Sequence, residues 1–203
     1  MYAIVENNQI TQYVNFPKSI VIVDVRYPAK IFELWSKAEK EAIGIYEIII
    51  DKTNYKDPGY YNNTNSSYTF ADGQVTESWG TATPKRLEDE DAVDEDGENI
   101  LDDDGNQVIN YGLKTEKKRI VKQQASGLLA PTDWYVIKAN EVSDYNVPEN
   151  VTTFRSDVRA KSNEMETQID ACTNVDELKA LYEYTRQEDG TITRPLAEFP
   201  EEI

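Results

Sequence analysis

The chain has 203 residues, 39% of them apolar, and its 38 acidic and 21 basic residues give a net charge of −17. This charge argues against binding to nucleic acid or to an anionic membrane, because both carry the same sign of charge. The absence of histidine removes the commonest general base and the usual nitrogen ligand of a metal, and the single cysteine, Cys172, excludes an intramolecular disulfide.

The first predicted elements are short β-strands. Residues 2–5 and 10–14 are β-prone runs, and Asn7 and Asn8 between them tolerate the left-handed backbone of a tight hairpin turn. Residues 20–25 are β-branched and predict a third strand that ends before Pro28. The sequence therefore opens with a hairpin and a single strand.

The hydrophobic period changes after Pro28 from that of a strand to that of a helix. Apolar residues recur at intervals of three and four, which predicts one amphipathic helix over residues 31–42. The apolar positions are Ile31, Leu34, Trp35, Ala38 and Ala42. Gly44 follows the last of them and is typical of a helix C-terminus, and residues 45–50 predict the next strand.

Two turn signals complete this part of the chain. Asp57-Pro58-Gly59 predicts a turn, and Asp72-Gly73 predicts a tight hairpin between strands at residues 68–70 and 75–79. Residues 1–85 are thus predicted to form a small α+β docking module of hairpin, strand, helix, strand and hairpin.

Residues 86–110 are predicted to be an acidic connector. Eleven acidic residues and no basic residue occur between Leu87 and Gly105, and their repulsion disfavours a folded core. The pairs Asp96-Gly97 and Asp104-Gly105 stand eight residues apart, so a small protruding hairpin is the alternative. A calcium loop is disfavoured, because both possible frames lack the first ligand and the closing glutamate.

Residues 111–185 are predicted to form a module of three or four helices. The first, Leu113–Leu129, has an incomplete apolar stripe, and Pro131 separates it from a helix that carries Trp134. We interpret this junction as an elbow in which Thr132 or Asp133 caps the second helix and Trp134 packs in the corner, with a contact site as the alternative.

The last two predicted helices have clearer signals. A long helix begins at Val147-Pro148, where proline is tolerated in the first turn. Its apolar stripe, broken only near Lys161 and Ser162, consists of Val151, Phe154, Val158, Met165, Ile169 and Cys172, which predicts a buried thiol. Asn174 and Glu177 predict a capping box for the final helix, and residues 186–203 predict an extended C-terminal arm.

No motif for catalysis is present. The sequence lacks the G-x-S-x-G, G-x-G-x-x-G and P-loop patterns, and a serine or cysteine nucleophile would need a base other than histidine. Carboxylates are abundant, but they concentrate in the connector, where no pocket is expected. The sequence therefore predicts a protein that is not an enzyme and has no cofactor or metal.

Aromatic residues are the candidate partner contacts. Thirteen tyrosines and three tryptophans exceed what modules of this size easily bury, and both types are enriched in protein interfaces. The alternative is that they cover sheet faces. Arg155 and Arg159, four apart on one helix face, could meet acids on a partner or on the connector. The candidate contacts are Trp35, Tyr60, Tyr61, Trp79, Trp134, Arg155 and Arg159.

Three stretches carry a family resemblance. They are residues 1–14, residues 32–46, and residues 128–139 (LLAPTDWYVIKA), the last followed by Val147-Pro148 and the helix with Phe154-Arg155. These stretches resemble a loose family of small proteins encoded in the tail-gene regions of tailed bacteriophages, notably marine ones. The resemblance implies a virion or tail-fibre-associated protein, and some relatives are described as fibre assembly factors.

The sequence thus predicts a non-enzymatic virion protein of a phage tail. It would attach a fibre or accessory element through contacts with other tail or fibre proteins, in several copies within a symmetric assembly. The alternative is a cytoplasmic tail-fibre assembly chaperone that is absent from the mature virion. With no signal peptide and no membrane span predicted, we expect synthesis in the host cytoplasm.

Overall fold

A computed structural model describes residues 1–203, and the chain divides into two compact units, Met1–Thr83 and Pro84–Ile203. The predicted α+β class is confirmed: the first unit is built on a sheet and the second on helices. The acidic segment and the C-terminal residues belong to the same unit as the helices, rather than forming a separate connector and arm.

The first unit contains a five-stranded sheet, a small hairpin and two short helices. In chain order its elements are β1 (Tyr2–Glu6), β2 (Gln9–Val14), β3 (Ile20–Ile22), β4 (Val25–Tyr27), α1 (Ile31–Leu34), α2 (Lys37–Ala42), β5 (Ile45–Ile50), β6 (Tyr61–Asn62), β7 (Ser67–Ala71) and β8 (Gln74–Ser78), with β9 (Thr83–Pro84) at its end. The sheet order is β2-β1-β5-β8-β7, and only the β5–β8 pair is parallel.

Both predicted hairpins are confirmed, with the predicted turn residues. Asn7 and Asn8 have φ angles of 52° and 62°, and Asp72 and Gly73 have φ angles of 51° and 72°. These left-handed conformations match the right-handed twist of the flanking strands. The turn residues therefore fix the register of β7 with β8, whereas the register of β1 with β2 shifts once, between Ile4 and Val5.

The sheet buries apolar side chains on both faces, because neighbouring residues of a strand point to opposite sides. Ile4 and Ile45 pack on the side covered by the β3–β4 hairpin and α1, while Ala3 and Val75 pack on the other side. Gly44 precedes β5 with φ +84°, and a Cβ there would lie 2.5 Å from the carbonyl oxygen of Val5. Glycine is therefore required where α2 turns into the sheet.

Two predicted elements of this unit are wrong. The strand predicted over residues 20–25 is the β3–β4 hairpin, which turns at Val23 and Asp24. The helix predicted over residues 31–42 is split into α1 and α2, because Ser36 and Glu39 form a capping box that begins a new helix. Of the five apolar positions predicted for that helix, only Ile31 is buried. Its neighbour Phe32, which was not one of them, is buried as well.

The second unit consists of four helices with short strand pairs before and after them. Its elements are β10 (Glu90–Asp91), β11 (Ile109–Asn110), α3 (Leu113–Leu129), α4 (Asp133–Glu141), α5 (Glu149–Ala171), α6 (Val175–Leu181), β12 (Thr185–Arg186) and β13 (Ile192–Thr193). A single 3₁₀ turn, Ala130–Thr132, joins α3 to α4. The α3–α5 pair forms the main helix packing of the unit.

The long helix and its stripe are as predicted. All five apolar positions of the stripe within α5 are buried. Ser162 is buried as well, so the buried face of the helix continues through the break in the apolar pattern. Asn174 caps α6 by accepting a hydrogen bond from the Glu177 amide at 2.9 Å. The Glu177 carboxylate accepts a hydrogen bond from the Thr173 amide at 2.6 Å, one residue earlier than in a standard capping box.

The C-terminal residues are not an extended arm. β12 and β13 form a hairpin, and Leu196 beyond it is buried in the unit. The Gln168 side chain holds this segment by donating to the Pro195 carbonyl at 3.1 Å and accepting from the Ala197 amide at 2.8 Å. Phe199 then packs on the α3–α5 core, so the last residues lie along α5.

Candidate interaction surfaces

The acidic segment is ordered by two matching turns rather than being a loose connector. In each turn one aspartate accepts hydrogen bonds from the backbone of the residues two and four positions later. Asp94 accepts from Asp96 and Glu98, both at 2.9 Å, and Asp102 accepts from Asp104 at 3.0 Å and Asn106 at 2.8 Å. Gly97 and Gly105 supply the positive φ angles that close the two turns.

A ring of three backbone hydrogen bonds joins the two turns. Ala92 donates to Val108 at 2.8 Å, Val108 donates to Ile100 at 2.9 Å, and Ile100 donates to Ala92 at 2.9 Å. The three residues stand eight apart, which is the spacing of the Asp-Gly pairs seen in the sequence. We call residues 93–108 the acidic arm. It is a folded element whose apolar side chains Val93 and Leu101 are exposed beside its carboxylates.

The acidic arm is not arranged as a metal site. No group of three or more histidine, cysteine, aspartate or glutamate side chains is placed to hold a metal ion. The carboxylates of Asp94 and Asp102 are already engaged by their own turns, and the Asn106 amide lowers the pKa of Asp102. The geometry therefore fits turn stabilisation.

The N-terminus of α3 is capped by the chain that precedes the acidic arm. Asp89 accepts from the Gly112 amide at 2.7 Å and from the Thr115 hydroxyl at 2.9 Å. The amides of Leu113 and Lys114 donate to backbone carbonyls of Arg86 and Leu87, so these amides of the first turn are satisfied. A Cβ on Gly112 would lie 2.3 Å from the Glu88 carbonyl oxygen, which explains the glycine.

The junction between α3 and α4 is organised by Arg155 of α5. Its guanidinium donates to the Leu129 carbonyl at 3.0 Å and to the Thr132 hydroxyl at 2.5 Å, and pairs with Asp133 at 2.8 Å. Arg155 is buried, so the expectation that it meets a partner or the acidic arm is wrong. Arg159 is exposed and donates to the Arg155 carbonyl at 3.1 Å.

The second helix of this junction exposes its apolar side chains. Trp134 is 50% exposed and stacks on Tyr135 with 3.8 Å between ring centroids, so the expectation that it packs in the corner is wrong. Ile137 is 56% exposed, and no side chain of α4 is fully buried. Thr132, rather than Trp134, fills the corner, because Arg155 and the Leu129 carbonyl both engage its hydroxyl. We call Trp134 and Ile137 the α4 face.

The remaining predicted contacts lie in the first unit and are mostly inside it. Tyr60 and Tyr61 are buried, so they are not available to a partner, and this expectation is wrong. Trp35 is half-buried and packs edge-on against Tyr27 at 5.9 Å. Trp79 is half-buried and packs edge-on against Tyr55 at 5.1 Å. These aromatic residues cover the sheet and its loops, which was the alternative interpretation.

A second exposed apolar surface lies on the β3–β4 hairpin and was missed by sequence reasoning. Val21, Val23 and Val25 are 54%, 73% and 51% exposed. We call residues 20–27 the valine hairpin. The sequence does contain an unbroken apolar run at residues 20–23. A strand directs alternate side chains to opposite faces, and only Ile20 and Ile22 are buried in the core, so the valines between them are left exposed.

A groove that could hold a small molecule runs beside α3 and measures about 590 Å³. Lys118, Arg119 and Lys122 line it, and each is paired with a carboxylate at 2.7 to 3.2 Å. Cys172 lies elsewhere in the unit, and burial raises the pKa of its thiol. The cations of the groove are thus engaged in ion pairs, and the Cys172 thiol is part of the packed interior.

Comparison with protein-family models, curated proteins and solved structures returned no match. None of the helices has both the length and the apolar content needed to cross a membrane. The candidate partner surfaces are therefore identified by geometry: the α4 face and the acidic arm in the second unit, and the valine hairpin in the first.

Proposed function

We propose that this chain is a structural protein of a tailed-bacteriophage virion, which joins a fibre or accessory element to the tail through protein contacts. The proposal rests on α4, a nine-residue helix in which no side chain is fully buried and only Tyr135 and Ala139 are half-buried. A helix of this length is marginal in water without a packing partner. Its exposed Trp134 and Ile137 are of the types that anchor protein interfaces.

The sequence resemblance and the exposed surface coincide. Residues 128–139, the stretch with the most specific resemblance to phage tail proteins, form the end of α3, the 3₁₀ turn and most of α4. The Arg155 hydrogen bonds fix the angle at which α4 leaves this turn. A helix held at its base and exposed along its length suits docking into a groove of another protein.

The chemistry of the other candidate sites favours contact over catalysis. Cations in the groove beside α3 are paired with carboxylates, and the Cys172 thiol is held protonated by burial. The division into two compact units also suits an adaptor, because each unit can offer its own surface. In this proposal the first unit contacts one tail or fibre protein and the α4 face contacts another, in several copies per particle.

Quantitative mass spectrometry of gradient-purified phage particles tests the proposal. A structural protein is expected at a fixed small multiple of a tail protein, and this ratio should survive a high-salt wash. Absence from particles together with abundance in the infected lysate would reject the proposal and favour a cytoplasmic fibre-assembly chaperone. The chaperone would then be expected to co-purify with unassembled fibre protein.

A further inference from the structure

The valine hairpin combines exposed apolar side chains with cations that have no acidic partner. Acidic residues outnumber basic ones by 38 to 21, yet Lys18, Arg26 and Lys30 take part in no ion pair. All three are exposed. Ten of the 21 cationic residues of the chain form an ion pair. The three cations of this segment are not among them, so their charge is open to acidic groups of a partner.

The hairpin geometry brings this charge beside the valines. Val21 and Arg26 are cross-strand partners, so their side chains project from the same outer face. Ser19 donates to the Tyr27 carbonyl at 3.1 Å, which keeps the base of the hairpin closed next to Lys18. The outer face therefore presents Val21 and Arg26 together, and Lys18 directly precedes Ser19 at the base.

The tip of the hairpin is strained in a way that its own fold does not require. Val23 has a φ angle of +44°, a left-handed conformation that is unfavourable for a β-branched residue. The side chain is 73% exposed, so no packing within the unit offsets the strain. Asparagine or glycine would suit this turn better. A valine at this position is explained if its side chain is buried by a partner.

The acidic arm offers the complementary chemistry. It exposes Val93, Ile100 and Leu101 between turns rich in carboxylates. We infer that the valine hairpin of one copy of this chain binds the acidic arm of a second copy, head to tail. Aliphatic side chains would meet across the contact, while Arg26 and its neighbouring lysines face the carboxylates of the arm. Two different surfaces of one chain then generate a ring or an open row of copies.

This inference goes beyond the proposed function, because it concerns the chain alone and holds or fails without any tail protein. The hairpin is small, so the contact falls at the weak end of protein interfaces, which bury less than about 1,200 Å². Its electrostatic part should be screened by salt, since the Debye length falls from about 10 Å at 0.1 M to about 3 Å at 1 M. Association is therefore expected at high protein concentration and low salt.

Sedimentation equilibrium of the full chain over about a hundredfold range of concentration measures this association. The average mass should rise above 23.2 kDa with concentration and return towards it in about 1 M salt. The double variant Arg26→Glu/Lys30→Glu should weaken association by about tenfold or more. The matched control is Lys52→Glu/Arg186→Glu, which reverses two other exposed cations without ion pairs and should leave association unchanged.

A pair of charge-reversal variants tests whether the acidic arm is the surface that the valine hairpin binds. Glu95→Lys/Asp103→Lys reverses two exposed arm residues whose side chains hold no turn, and it should also weaken association about tenfold. Mixing this variant with Arg26→Glu/Lys30→Glu should restore association between the two proteins. Restored association supports the inference, and a mixture that stays at the mass of single chains overturns it.

Val23→Asn separates contact from fold stability. Asparagine tolerates the left-handed turn, so the variant should be at least as stable as the natural chain while associating about tenfold more weakly. A chain that remains at 23.2 kDa at every concentration and salt would overturn the inference. Unchanged association of Val23→Asn would overturn it as well, because the tip would then make no contact.

Discussion

At the scale of single residues, burial decides the role of two arginines that the sequence treats alike. Arg155 and Arg159 are four apart on α5, and their spacing predicts a shared face. Arg155 is instead drawn inward by the Leu129 carbonyl and the Thr132 hydroxyl, while Arg159 stays exposed. The position of the 3₁₀ turn over α5 is a tertiary feature, so spacing alone could not predict it.

Replacing Arg155 is expected to cost stability. Arg155→Met keeps the side-chain stem but removes the guanidinium that donates to Leu129 and Thr132 and pairs with Asp133. Each of these three groups then loses one hydrogen-bond or ion-pair partner. We expect a loss of about 2–4 kcal/mol in the free energy of unfolding of the second unit, measured by urea denaturation. Arg159→Met, the matched exposed control, should change it by less than about 0.5 kcal/mol. Equal losses for both variants would contradict the assigned network.

The glycines of α3 offer a second matched pair. Gly112→Ala places a Cβ 2.3 Å from the Glu88 carbonyl oxygen, whereas Gly127→Ala meets nothing within 4 Å. We expect the first variant to destabilise the second unit by about 1–3 kcal/mol. The second should stabilise it by about 0.5–1 kcal/mol, because alanine favours a helix interior. Thermal unfolding followed by circular dichroism measures both, and opposite signs are the predicted result.

At the scale of elements, prediction succeeded where a local signal and the tertiary fold agree. The stripe of α5, the cap at Asn174 and both sheet hairpins depend on local periodicity and turn chemistry, and all were predicted. The helix over residues 31–42 failed because the Ser36 capping box lies inside an apolar period that seemed continuous. For the acidic segment, charge predicted a loose connector, and the eight-residue spacing of its Asp-Gly pairs favoured a small hairpin as the alternative. The structure has two turns joined by backbone hydrogen bonds between residues eight apart, which charge and hydropathy do not report.

The cap of α6 gives a pH-dependent prediction. Hydrogen bonds from Thr173, first of all from its amide, hold the pKa of the Glu177 carboxyl below its ordinary value of 4.5. A lowered pKa in the folded state contributes stability above pH 4.5, and this contribution is lost as the pH falls through the folded value. Glu177→Gln should therefore lower the melting temperature at pH 7, and the gap to the natural chain should close in acid. A gap that widens on acidification would contradict this cause.

At the scale of the whole molecule, the chain is two compact units, Met1–Thr83 and Pro84–Ile203. The change of hydrophobic period in the sequence indicated two modules. The sequence also predicted that the acidic segment is separate from the helices, whereas this segment caps helix α3. Asp89 contacts Gly112 and Thr115, so helix α3 depends on residues before the acidic arm. The exposed surfaces could not be predicted, because they are defined by what the rest of each unit leaves uncovered.

Each unit is expected to fold alone. Residues 1–83 and 84–203 each contain their own buried core, so the two fragments made separately should unfold cooperatively. A third fragment, residues 111–203, lacks Asp89 and should be less stable than residues 84–203 by about 1 kcal/mol or more. Circular dichroism during heating measures all three. Equal stability of the two helical fragments would show that the preceding segment does not support α3.

Incorporation of an α4-face variant into phage particles tests the proposal that α4 docks on a tail or fibre protein. Trp134→Ser/Ile137→Ser changes two exposed side chains and should leave the chain folded and abundant in the lysate. Tyr111→Ser/Ile192→Ser is the matched control, since both side chains are exposed, one aromatic and one aliphatic, in the second unit outside α4. Purified particles are expected to contain the control at the natural copy number and to lack the α4-face variant. Particles that contain both variants at the natural copy number would contradict the proposal.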